Sequence, residues 1–130
     1  MMTPRVLVVE DHPVNLEVAI AMLEQEGCQV LTAETAEAGL RLAAAEHLDL
    51  ILMDVQLPDM TGYEAVRRLK ADRATANIPI VALTARAMQG EEARARQVGC
   101  DGYLTKPLEM QAFREMLGRH LPGRDRGTEG

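Results

Sequence analysis

Five residues of this 130-residue sequence have the types and positions to do chemistry together: Glu10, Asp11, Asp54, Thr84 and Lys106. Each ends, or directly follows, a short strand-like run. Three carboxylates brought close repel one another, and burying them unpaired is costly. Two species offset that repulsion. A hard divalent cation such as Mg²⁺ takes carboxylate, phosphate and water oxygens, and the Lys106 ammonium supplies a fixed point charge that can meet a phosphate oxygen. With both present, one carboxylate can attack phosphorus as a nucleophile. The charge on the transferred group is then met by metal and ammonium, while the Thr84 hydroxyl donates a hydrogen bond. Asp54 is the natural nucleophile, because it ends the central run and precedes a loop, Val55-Gln56-Leu57-Pro58-Asp59-Met60, with room for a phosphoryl group. Singly, each residue has an ordinary reading. Glu10-Asp11 suits a helix N-terminus, Asp54 could cap a turn, Lys106-Pro107 could enter a loop, and Thr84 could merely end a strand. Four such coincidences at four strand ends are what point to a site.

The elements that must position these residues alternate in type. Val6-Leu7-Val8-Val9, Leu50-Ile51-Leu52-Met53 and Ile80-Val81-Ala82-Leu83 are continuous apolar runs of strand length, as expected for strands buried on both faces of a parallel sheet. Gln29–Ala33 and Gly102–Thr105 are weaker strand candidates. Between them, Leu16, Ala19, Ile20 and Leu23 fall at helical spacing, as do Ala36, Gly39, Leu40 and Ala43, then Gly62, Ala65, Val66 and Leu69, and finally Phe113, Met116, Leu117 and His120. A further helix from about Met88 to Val98 has a weak apolar side, mostly alanine. Pro13 suits a first helical turn and Gly27 follows a helix end. Thr61-Gly62-Tyr63-Glu64 reads as a capping box, with Glu64 reaching back to Thr61, and Gly99 closes the fourth helix. The pattern is βα repeated five times, an α/β fold with right-handed crossovers and helices on both faces of the sheet. In such sheets ligands bind beyond the carboxyl ends of the strands, where the five residues lie.

Composition narrows the function further. A length of 130 residues suits one domain with a core. The net charge of -6 argues against direct DNA binding, which normally shows a basic face. No apolar run is long enough for membrane insertion, and the N-terminus lacks a signal peptide's apolar stretch, so the expected compartment is the cytoplasm. Cys28 and Cys100 lie far apart without a metal-binding spacing and read as buried or half-buried thiols outside any disulfide. From Pro122 onward the sequence reads as a flexible polar tail, 122–130, which could be a linker remnant.

Val8-Val9-Glu10-Asp11, Leu52-Met53-Asp54, Leu57-Pro58-Asp59-Met60-Thr61-Gly62, Leu83-Thr84-Ala85 and Lys106-Pro107 occur in the order and at the spacings of the receiver domain of two-component and phosphorelay response regulators. The chain resembles that family over about residues 5 to 121. The resemblance implies a flavodoxin-like, doubly wound, five-stranded parallel sheet of order 2-1-3-4-5 with five helices, an order for which a family member is itself the type example. It implies a receiver domain over residues 4–121. Asp54 would accept a phosphoryl group from a phosphohistidine on a sensor histidine kinase or histidine phosphotransfer protein. Asp11, Asp54 and the main-chain carbonyl of Gln56 would hold Mg²⁺, with Glu10 assisting through water, and Thr84 and Lys106 would bind the phosphoryl oxygens. Tyr103 aligns with the family's switch aromatic, the Lys106-Pro107 bond is expected to be cis, and Gln56 and Arg86 match positions that tune phosphoryl lifetime. The output surface would be formed by the weak fourth helix, the strand Gly102–Thr105 and the last helix. Such a protein is a phosphoacceptor switch that assists its own phosphorylation and dephosphorylation, and not a turnover enzyme. Glu10 departs from the second Asp of many members. The local wording is closest to receivers of hybrid kinases and stand-alone regulators, and no output domain follows. Two other readings are a receiver-like scaffold without phosphoryl chemistry and an aspartyl-phosphate hydrolase. The first would show a missing Asp or Lys. The second usually carries Asp-x-Asp after its first strand, whereas Glu10 and Asp11 are adjacent here.

Overall fold

A computed structural model describes residues 3–85 and 90–121 of the chain. The expected tail at 122–130, Arg86 and Met88 lie outside the described residues. The elements run β1 (Arg5–Val9), α1 (Pro13–Gln25), β2 (Gln29–Ala33), α2 (Ala36–Ala45), β3 (Leu50–Asp54), α3 (Gly62–Ala71), β4 (Ile80–Thr84), α4 (Glu91–Val98), β5 (Gly102–Thr105) and α5 (Met110–His120). All strand pairs are parallel, and the sheet order is β2-β1-β3-β4-β5. Both weak strand candidates are strands, at the two edges.

Alternation along the strands builds two cores. Leu7, Val9, Ile51, Met53, Ile80 and Ala82 face one side with α2, α3 and Ala95 of α4. Val6, Val8, Leu50, Leu52, Val81 and Leu83 face the other with α1 and α5, where Phe113, Met116 and Leu117 are fully or nearly fully buried. This is why the three central runs are apolar without interruption: each residue meets a helix on one face or the other. Cys28 and Cys100 are buried thiols, one in each core.

Local signals act mostly as expected. Pro13 opens α1, and Gly27 follows it at φ 84°. Thr61 caps α3 by accepting from the Glu64 N–H at 3.2 Å. The return half of the expected capping box is replaced: the Glu64 carboxylate pairs with Arg67 and Arg68, whose one-turn spacing offers charged partners that a backbone N–H cannot match. The described part of the fourth helix starts at Glu91, between Gly90 and Gly99 at φ 89° and 111°. No helix among the described residues is long and apolar enough to cross a membrane.

Register aligns the carboxyl ends. Val9 pairs with Ala33 and Met53, Asp54 with Leu83, and Thr84 with Thr105. The residues after these ends therefore meet along one rim.

Candidate functional site at the carboxyl rim of the sheet

Glu10 extends the β1–β2 ladder by one bond, its N–H donating to the Ala33 carbonyl at 2.9 Å. That fixes a carboxylate that is 1% exposed. One of its oxygens accepts from the His12 N–H at 3.1 Å and the other from Lys106 Nζ at 3.0 Å. Asp11 is exposed at the rim. Asp54, the buried last residue of β3, accepts through Oδ1 from Lys106 Nζ and from the Gln56 N–H, both at 3.3 Å. Lys106 is held by its own backbone, whose N–H donates to the Thr84 carbonyl at 2.7 Å, and the Lys106-Pro107 bond is cis as expected. One ammonium thus lies between two buried carboxylates on strands that neighbour each other.

The loop after Asp54 closes tightly. Gly62 N–H donates to the Val55 carbonyl at 2.7 Å, and Gln56 bridges Thr61 in antiparallel fashion. A Cβ on Gly62 would stand 2.1 Å from the Asp54 carbonyl oxygen, so only glycine permits this approach. Gln56 itself is exposed. Thr84 is buried at the end of β4, and its hydroxyl hydrogen-bonds to the half-buried Tyr103 phenol. Burial raises the Tyr103 pKa, and the nearby Glu91 and Glu92 carboxylates raise it further.

Electrostatics mark Asp54. Burial and the neighbouring Glu10 push its pKa up to about 6, against the opposing pull of Lys106 and the Gln56 N–H. Glu10, Asp11 and Asp54 each offer a carboxylate oxygen within 4.8 Å of the others. This all-oxygen set, with two members buried beside each other, fits a hard divalent cation. A groove of about 540 Å³ lies at the opposite end of the sheet, among Glu46, His47, Asn77, Arg119 and His120. None of the expected site residues lines it.

The structure brings Glu10, Asp54 and Lys106 into direct contact, with the Gln56 backbone bonded to Asp54 and the Asp11 carboxylate within 4.8 Å of Glu10 and Asp54. Thr84 and Tyr103 form an adjoining pair on β4 and β5. Two features escaped the sequence reading. Asp59, taken only as part of the loop, accepts from the Ala36 and Glu37 N–H groups of α2, each at 2.9 Å. Tyr63, taken only as part of a capping box, donates to the Glu91 carboxylate, while Arg94 stacks over its ring at 4.7 Å.

Known proteins share this fold. The family described as the response regulator receiver domain matches residues 6–118. The polar-differentiation response regulator DivK of Brucella ovis is 39% identical over 120 residues, covering 92% of this chain and 98% of the relative. The receiver domain of a sensor histidine kinase from Pseudomonas aeruginosa, solved with a magnesium ion in its active-site cleft, is 37% identical with a TM-score of 0.84, over 92% of this chain and 98% of that one. A chain from the co-crystal structure of a Saccharomyces cerevisiae histidine phosphotransfer protein with the receiver domain of its response regulator is 27% identical with a TM-score of 0.81, over 95% and 96% of the two chains. A parallel 2-1-3-4-5 sheet, an acidic cluster at its carboxyl rim and a family match spanning nearly all its elements lead to one conclusion: the chain belongs to the response regulator receiver domain family of two-component signalling.

Proposed function

We propose that this chain accepts a phosphoryl group on Asp54 from a phosphohistidine donor, in a Mg²⁺-dependent reaction, and switches conformation to control a partner. The observation that carries this is the Asp54 carboxylate itself: buried at a strand end, within 4.8 Å of Glu10 and Asp11, and bonded to Lys106. Asp11, Asp54 and the Gln56 carbonyl would hold the cation, with Glu10 behind them, and the cation would neutralise charge on the transferred group. Asp54 forms the new O–P bond as the donor's N–P bond breaks, its electron pair leaving on the imidazole, which takes up a proton. Lys106 follows the developing charge from Asp54 to a phosphoryl oxygen, and Thr84 donates to another. The Thr84 hydroxyl also hydrogen-bonds to the Tyr103 phenol, so its recruitment to a phosphoryl oxygen would disturb that bond. That disturbance links the phosphorylated state to Tyr103 and to an output surface on α4, β5 and α5.

A protein donor is supported by surface chemistry. Among the described residues the exposed large hydrophobics are Val14 and Val18, one turn apart on α1, the helix that starts two residues after Asp11. A sensor histidine kinase or phosphotransfer protein is the partner this suits. The same reading makes the chain a switch that assists its own phosphorylation and dephosphorylation, acting in the cytoplasm through protein contacts and not on DNA.

Labelling with a small acyl phosphate tests the assignment. Wild type should incorporate one phosphoryl group in the presence of Mg²⁺ and lose labelling with a chelator. An Asp54→Asn chain that labels as fast as wild type would refute the proposal.

A further inference from the structure

We infer that Asp59 is a positioning residue for the cation side of the Asp54 site, holding the loop that carries Gln56 against α2; this rests on the proposed roles of Asp54 and Gln56. Each backbone N–H from Ala36 to Gly39 at the start of α2 has an acceptor. Ala36 N–H donates to Asp59 Oδ1 and Glu37 N–H to Asp59 Oδ2, each at 2.9 Å. Ala38 N–H donates to the Thr35 hydroxyl at 3.0 Å, and Gly39 N–H to the Thr35 carbonyl at 3.0 Å. Thr35 alone would cap an ordinary helix. Asp59, 23 residues away in sequence, takes the first two donors with both oxygens. These bonds hold its carboxyl below the usual range, so the anchor stays charged at neutral pH.

At the base of the loop, Val55 N–H donates to the Leu83 carbonyl at 2.9 Å and Gln56 N–H to Asp54 Oδ1 at 3.3 Å. Gly62 N–H donates to the Val55 carbonyl and Gln56 faces Thr61 in an antiparallel bridge, which closes the loop on itself. Leu57 and Met60 pack against the core, but apolar packing is not directional. Among the described residues, Asp59 therefore makes the directional bonds from the loop's tip to another element. A closed loop without that tie can tilt about its two ends, and the Gln56 carbonyl tilts with it. A carbonyl that ligates a cation must be held in place by what lies behind it.

Two helix caps on the same helix supply the control. Thr35→Ala weakens α2 without touching the loop, whereas Asp59→Ala weakens α2 and frees the loop. Magnesium affinity is measured by calorimetry, and thermal midpoints are measured without metal. Asp59→Ala is expected to weaken Mg²⁺ binding roughly fivefold, the equivalent of losing one ordinary hydrogen bond. Asp59→Asn, which keeps one carbonyl acceptor, should fall between it and wild type. Thr35→Ala should stay within about twofold of wild type while its midpoint falls like that of other lost caps. Wild-type Mg²⁺ affinity in Asp59→Ala, or equal losses in Thr35→Ala and Asp59→Ala, would overturn the inference and leave the Asp54 assignment standing. An Asp54→Asn chain that still labels would instead remove the assignment on which the inference rests.

Discussion

Lys106 occupies the point where two buried carboxylates would otherwise face each other. Its ammonium reaches Glu10 at 3.0 Å and Asp54 at 3.3 Å, and its side chain is 11% exposed. Removing it as Lys106→Met leaves like charges in a low-dielectric pocket, so the metal-free protein should lose about 3 kcal/mol at pH 7. The loss should shrink at pH 5, where Asp54 can take a proton instead; denaturant melts at the two pH values check this. Even with Lys106 present, Asp54 sits at about 6, above its ordinary value. A carboxyl raised on folding binds its proton more tightly in the native state than in the unfolded one. Its contribution to stability is full below the unfolded pKa near 4 and is lost as pH rises through about 6. The loss amounts to up to about 3 kcal/mol. Asp54→Asn cannot ionise, so its stability advantage over metal-free wild type should open between pH 4 and pH 7. Parallel stability curves for the two proteins would show that Asp54 is not the strained group. Four of the site carboxyl and ammonium groups could be read from sequence because each sits at the end of an apolar run. Their register, and the sharing of one ammonium by two acids, could not, since both depend on how distant strands align.

At the scale of elements, α4 is the weakest member. It spans eight residues, buries only Ala95 fully, and is bounded by two glycines in the left-handed region. Its thin apolar side was visible in the sequence, as was the continuous burial of β1, β3 and β4. What compensates for that thin side was not visible. Tyr63 of α3 donates to Glu91, 28 residues away, and the Arg94 guanidinium covers the same ring. No local pattern encodes a pairing of that span; Tyr63 looked like one more helical residue between a cap and an apolar stripe. Glu91 also lies near Tyr103, whose pKa it helps to raise, so the first turn of α4 sits between α3 and β5. Tyr63→Phe keeps the ring and its contact with Arg94 but removes the donor. Global stability should fall by only about 1 kcal/mol, because the half-exposed Glu91 can turn to water. Amide exchange over 91–98 should nonetheless quicken severalfold, since a helix with one buried side chain opens locally. Unchanged exchange there would mean that Ala95 packing alone holds α4.

For the whole molecule, one sheet serves two cores and one rim. β1, β3 and β4 contribute side chains to both faces, so neither helical layer can detach without exposing the central strands. Loss of structure should be a single cooperative transition, and its midpoint can report events at the rim. The acidic cluster makes the ligand-free state less stable than its cores would allow, as burial and Glu10 both act against an ionised Asp54. A divalent cation that binds the native cluster and not the unfolded chain returns that stability by mass action. At a hundred times its dissociation constant the gain is about 2.7 kcal/mol, which for a chain of this size raises the midpoint by about 10 °C. The gain should depend on pH in a definite sense. Cation binding requires ionised carboxylates, so protons compete with it below about pH 6, and the shift should be largest at pH 7 to 8 and small at pH 5. Asp54→Asn should lose most of the shift at every pH, because it removes a ligand and the strain together. Thermal melts with and without Mg²⁺, repeated across that range, test the linkage. An equal shift in Asp54→Asn, or one that grows on acidification, would place the cation elsewhere on the molecule.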